Sequence, residues 1–113
     1  MSYDLEFNCE LETPHHIKGG TYALGGTPRP ELNITYNYGR IFCTFLEDPK
    51  GIRSLYGKTA AEVIARLDEV IPKMQGRPDD DYWAATEGNA RQALVNLRDL
   101  AKMCPPDAIL DGD

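Results

Sequence analysis

The chain has 113 residues, 42% of them apolar and 27% charged, with 18 acidic against 12 basic residues for a net charge of −6. That length suits one domain with its own core, and the apolar content is that of a globular chain rather than a disordered one. The acidic balance argues against unaided nucleic-acid binding, which needs clustered Lys and Arg to displace counterions from phosphates, and it favours a basic partner.

Cys9, Cys43 and Cys104 are widely spaced and odd in number, so they form neither a CxxC pair nor a disulfide framework. They read as reduced, mostly buried thiols. The opening Met1-Ser2-Tyr3-Asp4 lacks the basic flank of a signal peptide, and no apolar run approaches the ~18 residues that cross a bilayer. A cytoplasmic protein without membrane contact is the expectation.

Residues 3–12 alternate strictly. Tyr3, Leu5, Phe7, Cys9 and Leu11 share one face, and Asp4, Glu6, Asn8, Glu10 and Glu12 the other. This predicts a strand with one buried and one wet, acidic face. A glycine-rich stretch follows, where Thr21–Leu24 reads as a short strand between glycine turns until Pro28 and Pro30 break the pattern. Leu32, Ile34, Tyr36 and Tyr38 alternate with Asn33, Thr35 and Asn37, predicting a second strand. Over residues 40–46, Ile41, Phe42, Phe45 and Leu46 suit a helix, while Ile41, Cys43 and Phe45 suit a strand. Gly39 interrupts the run and favours the helix.

Two helices carry stronger signals. Thr59 and Glu62 form a capping box ahead of the stripe Val63, Ile64, Leu67, Val70 and Ile71, with Glu62–Arg66 as a favourable i,i+4 pair and Pro72 to end or bend it. The second helix starts near Thr86 and runs to about Met103. Its stripe is Ala90, Ala93, Leu94, Leu97, Leu100, Ala101 and Cys104, and Pro105-Pro106 stops it. The expected fold is a single α+β domain over 1–113: a small antiparallel sheet of two to four strands, two main helices on one face, and an acidic tail at 107–113.

Gly57-Lys58-Thr59 opens a helix as a phosphate-binding loop does, but Gly51 and Gly57 enclose five residues where that loop has four. A glycine turn at positive φ before a capped helix accounts for it. The helix N-terminus, with Arg53 and Lys58 beside it, still suits an anion, and Tyr36 or Trp83 suits a stacked base. Adjacent His15 and His16 would point to opposite faces of a strand, and Asp79-Asp80-Asp81 lacks the glycine and distal Glu of a calcium loop. No metal site, cofactor motif or catalytic constellation emerges, so a binding protein ranks above an enzyme. For a protein partner, the contact expected is the acidic face of Asp4, Glu6, Glu10 and Glu12. For a small anionic ligand such as a nucleotide, it is Arg53, Lys58 and Thr59 with Tyr36 or Trp83.

Four segments together carry a resemblance: Gly19-Gly20-Thr21-Tyr22-Ala23-Leu24-Gly25-Gly26-Thr27, Leu32-Asn33-Ile34-Thr35-Tyr36-Asn37-Tyr38, Gly51-Ile52-Arg53-Ser54-Leu55-Tyr56-Gly57-Lys58-Thr59 and Ala85-Thr86-Glu87-Gly88-Asn89-Ala90. They resemble a group of small uncharacterised phage and prophage proteins, as does the closing Asp111-Gly112-Asp113. Pro72 and Cys104-Pro105-Pro106 depart from that pattern. The resemblance implies an accessory protein acting in the bacterial host cell, of a kind that blocks host machinery by binding it or sequesters a signalling nucleotide. It brings no catalytic residues with it.

Overall fold

Alternation decides where the sheet begins. In the computed structural model, which describes residues 1–11, 15–19, 22–27 and 29–113 (within 15–27 the backbone alone), β1 spans Ser2–Phe7 and buries Tyr3, Leu5 and Phe7. The strand ends at Phe7 and does not continue to residue 12 as the alternation predicts. Asn8 leaves the ladder: its N–H donates to the Ile109 carbonyl at 3.0 Å, and its Oδ1 accepts the Ile109 N–H at 2.7 Å. Leu11 is nonetheless buried, and Glu12 lies outside the described residues.

Two strands flank β1, both antiparallel. On one side β4, Glu31–Thr35, sets Ile34 opposite Tyr3 and Leu32 opposite Leu5. It stops short of the expected Tyr38 because the Thr35 hydroxyl accepts the Asn37 N–H at 3.2 Å, turning Tyr36–Tyr38 into a 3-10 turn. That turn feeds α1, Gly39–Phe45, the helix favoured over a strand for this stretch. On the other side β5, Leu110–Gly112, sets Asp111 opposite Glu6 and Leu110 opposite Phe7. The stretch expected as an acidic tail therefore ends in a strand, and Leu110 is fully buried. The sheet order is β4-β1-β5. A separate hairpin joins β2, His15–Gly19, to β3, Tyr22–Thr27. The short strand expected at 21–24 falls partly outside the described residues, at Thr21.

The two long helices cover the inner face. In α2, Ala60–Val70, the expected capping box forms, and Val63, Leu67 and Val70 are buried. Pro72 sits in the 3-10 turn Ile71–Lys73 that ends it. The Glu62–Arg66 pair does not form. The Glu62 carboxylate accepts the Thr59 N–H at 3.0 Å, while Arg66 turns to Glu69 at 3.3 Å and to the Leu46 carbonyl at 2.8 Å. In α3, Glu87–Lys102, Thr86 caps the start, and Leu94, Leu97 and Leu100 join the core of Leu5, Phe7 and Leu67. Arg98 on α3 bonds Asp68 on α2 at 2.9 Å.

The start of α3 also organises the loop before it. Asn89 is buried; its amide group donates to the carbonyls of Asp81 and Ala84, each at 2.9 Å, and its oxygen accepts the Asp79 N–H at 2.7 Å. The Glu87 carboxylate accepts the Gln75 N–H at 2.5 Å. At Gly88 a Cβ would lie 2.0 Å from the Arg77 carbonyl oxygen, so only glycine lets the two backbones pass.

Candidate functional site

The Gly57-Lys58-Thr59 turn has the predicted positive φ, 85° at Gly57. It does not offer the free donors that an anion needs. A helix N-terminus binds anions through N–H groups without an intrahelical partner. Here the Ala60 N–H donates to the Ala108 carbonyl at 2.7 Å and the Ala61 N–H to the Pro106 carbonyl at 3.1 Å. The Glu62 N–H goes to the Thr59 hydroxyl at 3.2 Å and the Val63 N–H to the Thr59 carbonyl at 2.9 Å. The reason is tertiary: the chain after α3 runs alongside this turn, with the Gly57 N–H donating to the Leu110 carbonyl at 2.8 Å and the Leu110 N–H to the Lys58 carbonyl at 2.9 Å.

Arg53 is engaged elsewhere. Its guanidinium carbon lies 4.9 Å from the Tyr3 ring centre and 5.4 Å from that of Tyr36. Its Nε donates to the Asp113 carbonyl at 2.9 Å and its Nη2 to the Tyr36 hydroxyl at 3.2 Å. The Tyr56 hydroxyl donates to the same carbonyl at 3.2 Å. This cluster clamps β5 to the sheet. Lys58 instead lines an open groove with Asp48, Glu62, Arg66 and Glu69, a lining of mixed charge. Tyr36 packs edge-on to Tyr3 at 4.6 Å, and Trp83, 48% exposed, packs edge-on to Tyr82 at 5.2 Å. Beside Tyr82 a cleft of about 180 Å³ opens between β4, α3 and the 78–82 loop, with Leu32, Ile34 and Ala93 as apolar lining and Asp79 and Asp80 beside them. That volume falls below the ~300–1,000 Å³ of ordinary ligand pockets.

The outer face of the sheet is different. Antiparallel partners project to the same side, so the pairing aligns Glu31, Glu6 and Asp111 in one row across three strands, with Asn33 and Asp4 in the next. Arg29 bridges two of the carboxylates, Glu6 at 2.8 Å and Glu31 at 2.9 Å. Asp4 accepts from the Asn33 amide at 2.6 Å and is exposed, as is Asp111. A shallow recess of about 220 Å³ lies over Asp4, Glu6, Glu31 and Asn33. Glu10 is exposed beyond the end of β1. Alternation along β1 identified Asp4 and Glu6 but missed Glu31 and Asp111. Glu31 does occupy the polar phase of the alternating run after it, which is the signal that points to it. For Asp111 the sequence carries no comparable signal, because a three-residue strand is too short to show a period.

Among the described residues, no group of three or more His, Cys, Asp or Glu side chains converges as a metal site, and no helix is long and apolar enough to cross a membrane. No family model, curated protein or solved structure matches this chain.

Proposed function

We propose that this is a non-enzymatic binding protein whose acidic sheet face docks on a basic surface of a partner protein. The partner is a host bacterial component, and binding interferes with its work, in the manner implied by the likeness to small phage and prophage proteins. The observation that carries the reading is the row Glu31, Glu6 and Asp111. Like charges directly opposite on neighbouring strands cost stability, and among the described residues Arg29 pairs with two of the three, Glu6 and Glu31. A face that keeps such a row invites a cationic surface, which would relieve the repulsion and be steered to it at long range. Asp4 and the exposed Glu10 extend the same charge.

The test is the triple variant Asp4→Asn, Glu6→Gln, Asp111→Asn, which removes three charges while keeping hydrogen-bond acceptors in place. Tagged wild-type and variant chains are used to capture proteins from bacterial lysate at low and high salt. A partner held by the wild type, released by salt, and bound at least tenfold more weakly by the variant at unchanged melting temperature supports the reading. Equal capture by both chains overturns it, as does calorimetric binding of a nucleotide that the three substitutions leave untouched.

A further inference from the structure

We propose that the cleft between β4, α3 and the 78–82 loop binds a small primary amine carrying one apolar ring. This site is separate from the acidic docking face. The cleft opens on the inner side of β4, where Leu32 and Ile34 are buried, while Glu31 and Asn33 stand on the outer side.

The walls are fixed by contacts of the chain with itself. Leu32 and Ile34 are held in register against Leu5 and Tyr3 of β1. Next to them the Thr35 N–H donates to the Tyr82 hydroxyl at 3.0 Å, and the Tyr38 hydroxyl donates to the Tyr82 carbonyl. From α3, Asn89 pins the same loop through Asp79 and Asp81, at 2.7 and 2.9 Å. A cleft built this way spares a ligand the cost of ordering it.

Size and lining select the ring. The cleft holds about 180 Å³, and its apolar lining of Leu32, Ile34 and Ala93 is buried. An apolar cavity of about 150 Å³ takes up a benzene molecule, so one ring fits here where a base with its sugar does not. Asn89 and the Tyr38 hydroxyl already have partners inside the protein, so polar groups on the ring would lose water without compensation.

The rim selects the other end of the ligand. Asp79 and Asp80 are exposed there. Asp79 gives one carboxylate oxygen to the Asp81 N–H at 2.9 Å and keeps the second. Gln92 donates its amide to Asn96 at 2.9 Å, which leaves the Gln92 side-chain oxygen as an acceptor beside the carboxylates. Acceptors and negative charge together call for a cationic donor, and an ammonium brings three N–H groups. They repel an anion of the same shape.

The probe is phenethylamine, compared with phenethyl alcohol and hydrocinnamate, the uncharged and anionic counterparts. Each is titrated into isotopically labelled full chain and followed by NMR. The amine should give saturable shifts at the methyl groups of Leu32, Ile34 and Ala93, with a Kd of about 1 mM or below. The alcohol should bind about threefold more weakly, and the carboxylate more weakly still. Asp79→Asn with Asp80→Asn should bring amine and alcohol to equal affinity at unchanged melting temperature. Ala93→Leu should fill the cleft and abolish binding of both, and the milder Ala93→Val should weaken both if the larger side chain unfolds the protein. Absence of saturable shifts at the cleft, an alcohol that binds as tightly as the amine, or undiminished binding by Ala93→Val would overturn the proposal. The wild-type comparison of amine with alcohol decides it by itself, whatever the variants do.

Discussion

The carboxamide oxygen of Asn89 accepts the backbone N–H of Asp79 at 2.7 Å, joining the 78–84 loop to the helix that follows it. The same side chain donates to the Asp81 and Ala84 carbonyls. Replacing Asn89 with Ala strips partners from one N–H and two carbonyls in a part-buried setting. Each group left unsatisfied costs about 1–3 kcal/mol unless water replaces the partner. Asn89→Ala should lower the free energy of unfolding by about 2–3 kcal/mol and raise hydrogen exchange across 79–84. Denaturant unfolding indistinguishable from wild type would show that the loop holds itself.

The sequence points to Arg53 as a ligand-binding cation. Its contacts with Tyr3, Tyr36 and Asp113 predict otherwise. Arg53→Ala should cost about 1.5–3.5 kcal/mol, the sum of two exposed cation–π contacts and the hydrogen bond to Asp113. Arg53→Lys should recover only part of it, since an ammonium cannot lie against both rings and reach the carbonyl as the planar fork does. Equal stability of Arg53→Ala and wild type in chemical denaturation would mean that the clamp contributes nothing.

Two glycines should respond differently to the same methyl group. At Gly57 a Cβ meets nothing within 4 Å, but φ is 85°, so Gly57→Ala should cost about 1–2 kcal/mol through backbone strain alone. At Gly88 a Cβ would lie 2.0 Å from the Arg77 carbonyl oxygen. Relief there requires moving backbone, so Gly88→Ala should cost at least about 3 kcal/mol. Melting temperatures ranked the other way round would refute the assignment of the two mechanisms.

Burial raises the phenols of Tyr3, Tyr38 and Tyr82, and pushes that of Tyr56 up to about 12. The folded chain therefore holds these protons more tightly than the unfolded chain, whose tyrosines titrate near 10. Stability from this source is complete below pH ~10 and is lost as pH climbs towards the folded values. The melting temperature should be flat from about pH 7 to 8, start to fall near pH 9 where the unfolded chain's Cys104 ionises, and fall further between about 10 and 12. Tyr56→Phe, which cannot ionise, should fall less steeply over that range. Identical slopes for the two chains would remove Tyr56 from the account.

What could be read along the chain was what neighbouring residues decide among themselves. Thr59 with Glu62, Thr86, the leucine stripes and the alternation of Tyr3, Leu5 and Phe7 set two helices, one strand and the buried side of each. These signals are local, with periods of 3.6 or 2 and caps three residues from their donors. The strand ends were less legible, because Asn8 and Thr35 end β1 and β4 with side-chain hydrogen bonds that compete with the ladder.

The tertiary structure decided the candidate site, because its members are far apart in sequence. The sequence determined that Asp4 and Glu6 face away from the core. Only the pairing of β1 with β4 and β5 sets Glu31 and Asp111 beside Glu6. The same return of the chain along Gly57-Lys58-Thr59 fills the hydrogen-bonding space that the sequence appeared to leave for an anion. A backbone donor is local, but its partner can come from any segment that packs against it, so whether it is free is settled by the fold.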